Sequence, residues 1–385
     1  MSGDPEQEYF ADGIVEDITT ALSRFKSLFV IARNSSFTYK GKATDIKQVG
    51  RELGVRYVLE GSVRKSGGKV RITGQLIDAT TGAHLWADRF DGELKDIFDL
   101  QDQVTINVVG AIAPRVEQAE IDRAKSKSTN NLDAYDYFLR GMSHFNQATK
   151  GGIENSLKDF ARSIELDPTY TAPHSWMIIA YARRKQGLWM VDVNAEIAEG
   201  IRISRRAIEL GKDDAVALCA GGFGLAFLGG EIDTGLALTD RSLALNPNLA
   251  VAWMASGWIR SYVGEPETAI KHLAYGIRLS PLDPQIFQFY MATSLATRCA
   301  GRYDESAFWA TKVLQEQSDY VPALWNYAVA TALAGRLEDA RAAMSRALQI
   351  DPSVRLSRMP ILSVLRRPED RSRFCEGARL SGMPE

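Results

Sequence analysis

The chain has 385 residues, of which 45% are hydrophobic and 24% are charged, and its formal net charge at pH 7 is −2. This composition excludes an intrinsically disordered chain and is typical of globular proteins. The near-neutral charge gives no electrostatic basis for a nucleic-acid or membrane partner, and we expect neither. The cysteines Cys219, Cys299 and Cys375 lie far apart. They indicate reduced thiols, and with no recognisable signal peptide we expect a cytoplasmic protein.

Residues 1–124 are predicted to form a small α/β domain. Two turns with hairpin chemistry, Ser66–Gly68 and Thr80–Gly82, join three strands, and apolar and polar residues alternate along the middle strand. One face of this meander should therefore be packed and the other polar. The predicted elements, in chain order, are a helix from Pro5, a buried strand over Ser27–Arg33, a helix over Asp45–Leu53 ended by Gly54, strands over Arg56–Lys65, Lys69–Asp78 and Ala83–Phe90, and a helix over Asp96–Gln118.

Acidic residues lie near the end of the third strand. Asp88, Asp91 and Glu93 could be drawn as a metal site, but a polar turn that leads into a helix is the favoured interpretation. We expect no catalytic residue, no cofactor and no metal site. An enzyme hidden in the α/β domain stays an alternative, which a pocket with converging acids and a shifted pKa would support.

Three separated segments of this domain occur in a family-specific order: Ser2–Gly13, Leu53–Val63 and Gly82–Phe90. With them, about 120 residues resemble the TolB amino-terminal-like domain. In that family an apolar strand precedes the Ser-Gly-Asp-Pro segment, whereas here Met1 stands where that strand should have ended. We therefore expect that the first strand is missing, and that the native reading frame is longer or the chain is a fragment.

The remaining chain repeats a proline-punctuated helical pattern. Pro247 and Pro281 are 34 residues apart, and Pro352 follows 71 residues later. A period of this length indicates stacked helical hairpins, since one pair cannot bury its apolar face alone. A linker over 125–131 should precede the repeats, and a capping tail over 353–385 should follow them. The predicted hairpins within 132–352 are 132–168, 169–212, 213–247, 248–281, 282–318 and 319–352.

One repeat closely resembles the tetratricopeptide (TPR) family. Trp253, Gly257, Ala269, Leu273 and Pro281 occupy that family's tryptophan, glycine, small-residue, large apolar and proline positions. A small residue is needed where two helix backbones approach each other, and proline ends the second helix. The predicted fold is thus a small α/β domain followed by an all-α TPR-like superhelical solenoid, mostly α overall.

The order of the two domains resembles the C-terminal half of bacterial class III adenylate/guanylate cyclases, and no segment here has room for their catalytic domain. The resemblance implies a non-catalytic regulatory region that binds a protein or peptide, and it is compatible with a homodimer of the parent protein. A transcriptional regulator that lacks its DNA-binding domain is the alternative.

Partner-binding residues are expected on the concave side of the solenoid, which the first helix of each pair lines. Exposed polar and aromatic side chains there would contact the partner. The candidates are Tyr135, Arg140, His174, Arg184, Arg260, Gln288 and Asn326.

Overall fold

The computed structural model describes residues 5–25, 28–31, 33–42, 44–66, 69–93, 97–125, 133–281 and 283–385. The chain divides into two compact units. One comprises Met1–Arg123 and Leu279–Leu282, and the other comprises Ala124–Arg278 and Asp283–Glu385. Residues 126–131 of the predicted linker lie outside the described residues.

The α/β unit contains a three-stranded antiparallel sheet in the order β1-β2-β3. Asp45 caps α3 by accepting a hydrogen bond from the Lys47 amide, and Gly54 ends this helix at φ +66°, a conformation that favours glycine. The elements are α1 (Pro5–Ser23), α2 (Arg33–Ser36) with a 3₁₀ turn (Phe37–Tyr39), α3 (Ile46–Leu53), β1 (Tyr57–Ser66), β2 (Lys69–Asp78), β3 (His84–Glu93) and α4 (Ile97–Lys125).

The core of this unit lies between one face of the sheet and helices α1 and α4. Alternating residues of β2, including Val70, Ile72 and Leu76, are buried against apolar residues of both helices, such as Ile18 and Val104. The period-2 pattern of β2 therefore correctly predicted which face is packed. Helix α4 continues to Lys125, past the predicted end at Gln118.

The predicted strand over Ser27–Arg33 is wrong for the residues that the structure describes. Residues 28–31 form no strand, Arg33 begins α2, and Ser27 and Ala32 lie outside the described residues. Leu28 and Val30 pack partly against the core, while Phe29 is 87% exposed. A strand requires a neighbour for its backbone hydrogen bonds. The run buries two apolar side chains without pairing with a strand.

In the part of the second unit that the structure describes, six pairs of helices form the solenoid, one pair in each predicted interval. Consecutive first helices contact each other as well as their own partners. None of the helices that the structure describes is long and apolar enough to cross a bilayer. The pairs are α5 (Ala134–Phe145) with α6 (Lys150–Leu166), α7 (Thr171–Gln186) with α8 (Val193–Leu210), α9 (Ala215–Phe227) with α10 (Ile232–Leu245), α11 (Ala250–Val263) with α12 (Pro266–Leu279), α13 (Ile286–Cys299) with α14 (Tyr303–Glu316), and α15 (Val321–Leu333) with α16 (Leu337–Ile350).

Close helix packing explains the small residues at the repeat positions. Ala269 is fully buried, and a Cβ on Gly257 would lie 2.4 Å from Cγ of Leu273. The Trp253 indole donates a hydrogen bond of 2.7 Å to the Pro247 carbonyl, which ties α11 to the preceding proline turn. These contacts join residues that the repeat pattern singles out.

Glycine also lies where α9 and α10 cross, and we expect Gly235→Ala to destabilise the protein. A Cβ on Gly235 would lie 2.5 Å from the carbonyl oxygen of Gly222 and 2.7 Å from Cβ of Ala226. Because backbone atoms cannot rotate away, the helices must separate, at a cost of about 1–3 kcal/mol. Urea unfolding measures the change.

Gly151→Ala is the matched control for this substitution. A Cβ at Gly151 in α6 would meet nothing within 4 Å, so alanine should leave stability unchanged or raise it by up to about 1 kcal/mol. Equal effects at Gly151 and Gly235 would contradict the packing argument.

The tail reaches beyond the last repeat. After 3₁₀ turns over Leu356–Arg358 and Pro360–Ser363, helix α17 (Pro368–Leu380) packs on α15. In the segment between the second 3₁₀ turn and α17, the Arg366 amide donates a 2.9 Å hydrogen bond to the Tyr262 carbonyl at the end of α11. The Arg366 side chain pairs with Asp233 of α10 at 2.8 Å. With the contact of Arg298 in α13 with Phe374, the tail thus contacts the third, fourth, fifth and sixth helix pairs as well as covering the apolar end of the solenoid.

Candidate functional site: the inner groove of the solenoid

The first helices α7, α9, α11, α13 and α15 line a common inner groove, which the tail partly covers. A cavity of about 80 Å³ lies in this inner groove. Its walls are mostly apolar and aromatic, with a few polar side chains, as is typical of binding pockets. The polar lining residues include Arg183, Gln186, Gln288, Arg298 and Asn326.

Hydrogen bonds across the inner groove connect helix pairs that are distant in sequence. Gln285, at the start of α13, accepts from Arg183 Nη2 at 3.0 Å and donates to the Asn146 side chain at 3.2 Å. The Tyr320 hydroxyl donates to Gln186 at 3.1 Å and accepts from Gln288 at 3.1 Å. These bonds hold the first two helix pairs against the last two and fix the polar side chains of the cavity.

Arg183 is a buried cation in the wall of the cavity. Its guanidinium lies over the rings of Phe145 and Phe287, at 5.8 and 5.1 Å from their centroids. Only 8% of the residue is exposed, and Nη1 has no hydrogen-bond partner among the described residues. Burial lowers the pKa of Arg183 to about 10. The side chain therefore stays positively charged at neutral pH.

Arg298 is the second buried cation of the inner groove, and it contacts the tail. Its Nη1 donates to Asn326 Oδ1, and its guanidinium lies 4.9 Å from the centroid of the Phe374 ring in α17. Burial lowers the pKa of Arg298, and the negative charge of Asp370 partly offsets this shift. Arg298 thus has neighbours in α15 and α17.

Four of the predicted partner-binding residues are buried, which corrects the expectation that they form an exposed concave surface. Gln288 and Asn326 line the cavity, and both are almost inaccessible to solvent. His174 Nδ1 donates a 2.9 Å hydrogen bond to the Tyr170 carbonyl, and burial lowers the pKa of His174. Arg184 of α7 forms ion pairs with Glu154 of α6 and Glu196 of α8. In a tightly wound solenoid, a position on the concave side therefore does not ensure that a side chain is exposed to solvent.

The other three predicted residues are at least partly accessible. Tyr135 of α5 is 40% exposed, and the Arg140 guanidinium lies 5.6 Å from the centroid of the Tyr137 ring. Arg260 pairs with Asp240 at 2.9 Å and with Glu265 at 2.6 Å, so its guanidinium already has two acidic partners. Tyr135 and Arg140 share α5, whereas Arg260 lies on α11.

The sequence interpretation missed Arg183 and Arg298. Each continues an apolar stripe of a first helix at intervals of three or four residues: Arg183 follows Ile179, and Arg298 follows Leu295. A basic residue within such a stripe is the signal that could have identified them.

The outer face of the α/β sheet carries paired polar groups. Arg71 pairs with Asp91 at 2.7 Å, and the Ser62 and Thr73 hydroxyls lie 2.9 Å apart. The Arg71 hydrogen bond holds the pKa of Asp91 below its usual value. Asp91 is therefore engaged in a cross-strand ion pair, in keeping with a structural role.

No protein-family model matches the chain. It is 44% identical over 209 residues to a curated protein of Rhizobium meliloti (strain 1021) named "Putative adenylate cyclase 3", over 54% of this chain and 36% of that protein. The chain thus spans little more than a third of that relative.

Among solved structures, the chain is similar to a monomeric mutant of IFIT1 with Gppp-AAAA, with a TM-score of 0.50, 12% identity and coverage of 68% of this chain and 62% of that one. It is also similar to YrrB, "a TPR protein with an unusual peptide-binding site", with a TM-score of 0.32, 16% identity and coverage of 50% and 93%. At sequence identities this low, similarity to a solved structure is evidence about the fold alone. The fold is a small α/β unit together with a TPR-like solenoid.

Proposed function

We propose that this chain is a protein-binding regulatory region of a cyclase-type bacterial signalling protein, and that the partner binds to the repeat solenoid. The observation that carries the proposal is the arrangement of the first helices, which pack directly on one another and build a continuous surface. Stacked helical repeats typically use such surfaces to bind partners.

Tyr135 and Arg140 on α5 are the proposed contact residues. Tyr135 is 40% exposed, and Arg140 is stacked near Tyr137 on the same helix. Tyrosine and arginine are enriched among the residues that dominate binding energies, because each combines a large contact area with directional hydrogen bonds. Their position on the first helix pair favours a partner that binds at this end of the solenoid.

The similarity to the Rhizobium protein supports the cyclase part of the proposal. The α/β unit would then be the TolB amino-terminal-like domain that the three sequence segments resemble, in a cytoplasmic parent protein. Immunoblotting and peptide mapping of the endogenous protein test this context. A product well above 42.5 kDa with cyclase-type peptides is expected. A product of 42.5 kDa, or one with winged-helix peptides, would contradict it.

Partner binding is tested by cross-linking in the host, identification of the captured protein by mass spectrometry, and titration with the purified partner. Tyr135→Ala combined with Arg140→Glu should weaken binding by about ten-fold or more without changing the melting temperature. Arg202→Glu is the control, since the Arg202 side chain is 67% exposed and pairs with Glu199 on its own helix. Unchanged affinity in the double variant would exclude α5 as the contact surface.

A further inference from the structure

The cavity of the inner groove has a wall that consists largely of apolar, polarisable side chains. Met254 and Trp258 of α11, Met291 and Leu295 of α13, and Trp325 of α15 line it. Methionine adapts to the shape of a neighbouring group because its side chain is unbranched and flexible. Cavities with apolar walls stay dry and take up apolar molecules.

Hydrogen bonds within the protein already engage polar groups of the wall. Asn326 accepts from a neighbouring arginine through Oδ1 and donates to the Ser294 hydroxyl through Nδ2. Gln186 and Gln288 both bond the Tyr320 hydroxyl. A polar ligand would compete with these existing bonds, which removes much of the gain from binding it.

The two cations of the wall do not require a charged ligand. The negative charge of Asp283 acts on Arg183, and that of Asp370 acts on Arg298. An anion in the cavity would lose its hydration and would have to compete with these carboxylates. The wall therefore favours a ligand that is neutral as well as apolar.

The volume of the cavity limits the size of the ligand. It is about 80 Å³, whereas an engineered cavity of roughly 150 Å³ binds benzene. Met254 and Met291 can change conformation and enlarge the space to a small extent. The ligand is therefore no larger than a six-membered ring.

Residues of the tail complete the cavity. Pro360 and Ile361 of the second 3₁₀ turn and Phe374 of α17 line it together with the first helices of the repeats. A molecule in the cavity thus contacts the repeats on one side and the tail on the other. Its apolar surface is removed from water only while the tail is docked, so binding favours the docked tail.

We propose that this cavity binds a small, neutral, apolar molecule with at most about six non-hydrogen atoms, and that the bound molecule holds the tail against the repeats. This ligand site goes beyond the proposed protein-binding function and does not depend on it.

Calorimetric titration and thermal unfolding of the full chain test the ligand class, with benzene and cyclopentane as probes. Both should bind and raise the melting temperature, because a ligand that binds only the folded state stabilises it. Pyridazine, a polar ring of the same shape as benzene, should bind about ten-fold more weakly or less, since its nitrogen acceptors lose their hydration. Absence of benzene binding, or equal binding of benzene and pyridazine, would overturn the proposal.

Limited trypsin digestion tests the link to the tail. In the presence of benzene at about ten times its Kd, first cleavage within 353–385 should slow by about ten-fold, because the open population falls by a factor of 1 + [L]/Kd. A short unstructured peptide substrate controls for any effect of benzene on trypsin itself. Benzene binding that leaves cleavage of the tail unchanged would contradict a ligand held between the tail and the repeats.

Ala255→Leu tests the location of the ligand. Ala255 lines the cavity and is 4% exposed, so a leucine side chain should occupy the space of the ligand and lower the affinity for benzene by about ten-fold or more. Ala195→Leu, on the exposed surface of α8, is the control and should bind benzene as the parent protein does. Unchanged affinity in Ala255→Leu would overturn the assignment to this cavity. Should that variant not fold, the comparison of benzene with pyridazine and the protection from trypsin still decide the outcome.

Discussion

Replacing Arg184 by methionine should lower the free energy of unfolding by about 3–5 kcal/mol, the usual cost of breaking a buried ion pair. The Arg184 guanidinium bonds both carboxylate oxygens of Glu196, at 2.5 and 3.0 Å, and lies 3.3 Å from Glu154. Its side chain is 8% exposed and that of Glu196 is 17% exposed. The substitution leaves Glu196 charged and poorly hydrated. Urea unfolding at pH 7 measures the loss.

Arg202→Met is the control for Arg184→Met, because its pair with Glu199 is exposed and should contribute less than about 1 kcal/mol. A comparable loss in both variants would mean that burial does not determine the effect.

The effect of Arg184→Met should also depend on pH. Burial alone would raise the pKa of Glu196, but hydrogen bonds from Arg184 and from the Val191 backbone outweigh it and hold the pKa below its usual value. A carboxyl group whose pKa is lower in the folded state stabilises the protein at pH values above its unfolded-state pKa of about 4.3. This stabilisation is lost as the pH falls through the folded-state pKa. The difference between the variant and the parent should therefore narrow below about pH 4.

Regular spacing explains why the solenoid could be predicted in detail from the sequence. The prolines and the small residues recur with the period of one helix pair, and each acts locally: Pro247 receives the Trp253 indole, and Gly257 admits Leu273. Such signals do not depend on the rest of the chain. In the α/β unit, the alternation along β2 is equally local, whereas the run at Ser27–Arg33 is apolar without periodicity. A short apolar run of this kind is compatible with several structures.

The contacts between groove residues could not be predicted because they depend on the curvature of the whole solenoid. Arg183 and Gln285 are 102 residues apart, and Tyr320 and Gln186 are 134 apart. No local pattern specifies that these side chains meet. The concave position of Gln288 and Asn326 was therefore predictable, but their burial beneath the opposite wall and the tail was not.

The tail determines how accessible the inner groove is. Ile361 and Phe374 line the cavity from the tail side, and the Arg366 contacts to Tyr262 and Asp233 hold the preceding segment across the solenoid. The tail, residues 353–385, contains seven arginines. At least Arg366 forms an ion pair with a helix of the repeats. Weakening the packing of the tail should therefore release the backbone of this arginine-containing segment before the repeats unfold.

Phe374→Ala should weaken the packing of the tail on the solenoid. We expect it to lower the free energy of unfolding by about 3–5 kcal/mol, the usual cost of truncating a buried phenylalanine. Phe374 is 1% exposed, packs among apolar residues of α15 and α16, and has the Arg298 guanidinium over its ring. Limited trypsin digestion under native conditions should cut the variant first within 353–385, because the tail opens locally.

Phe308→Ala is the matched control, since Phe308 is 54% exposed and its loss should leave both stability and the cleavage pattern nearly unchanged. First cleavage within the repeats, or equal cleavage in both variants, would show that the tail and the solenoid unfold as one unit, and that the groove cannot open without unfolding of the repeats.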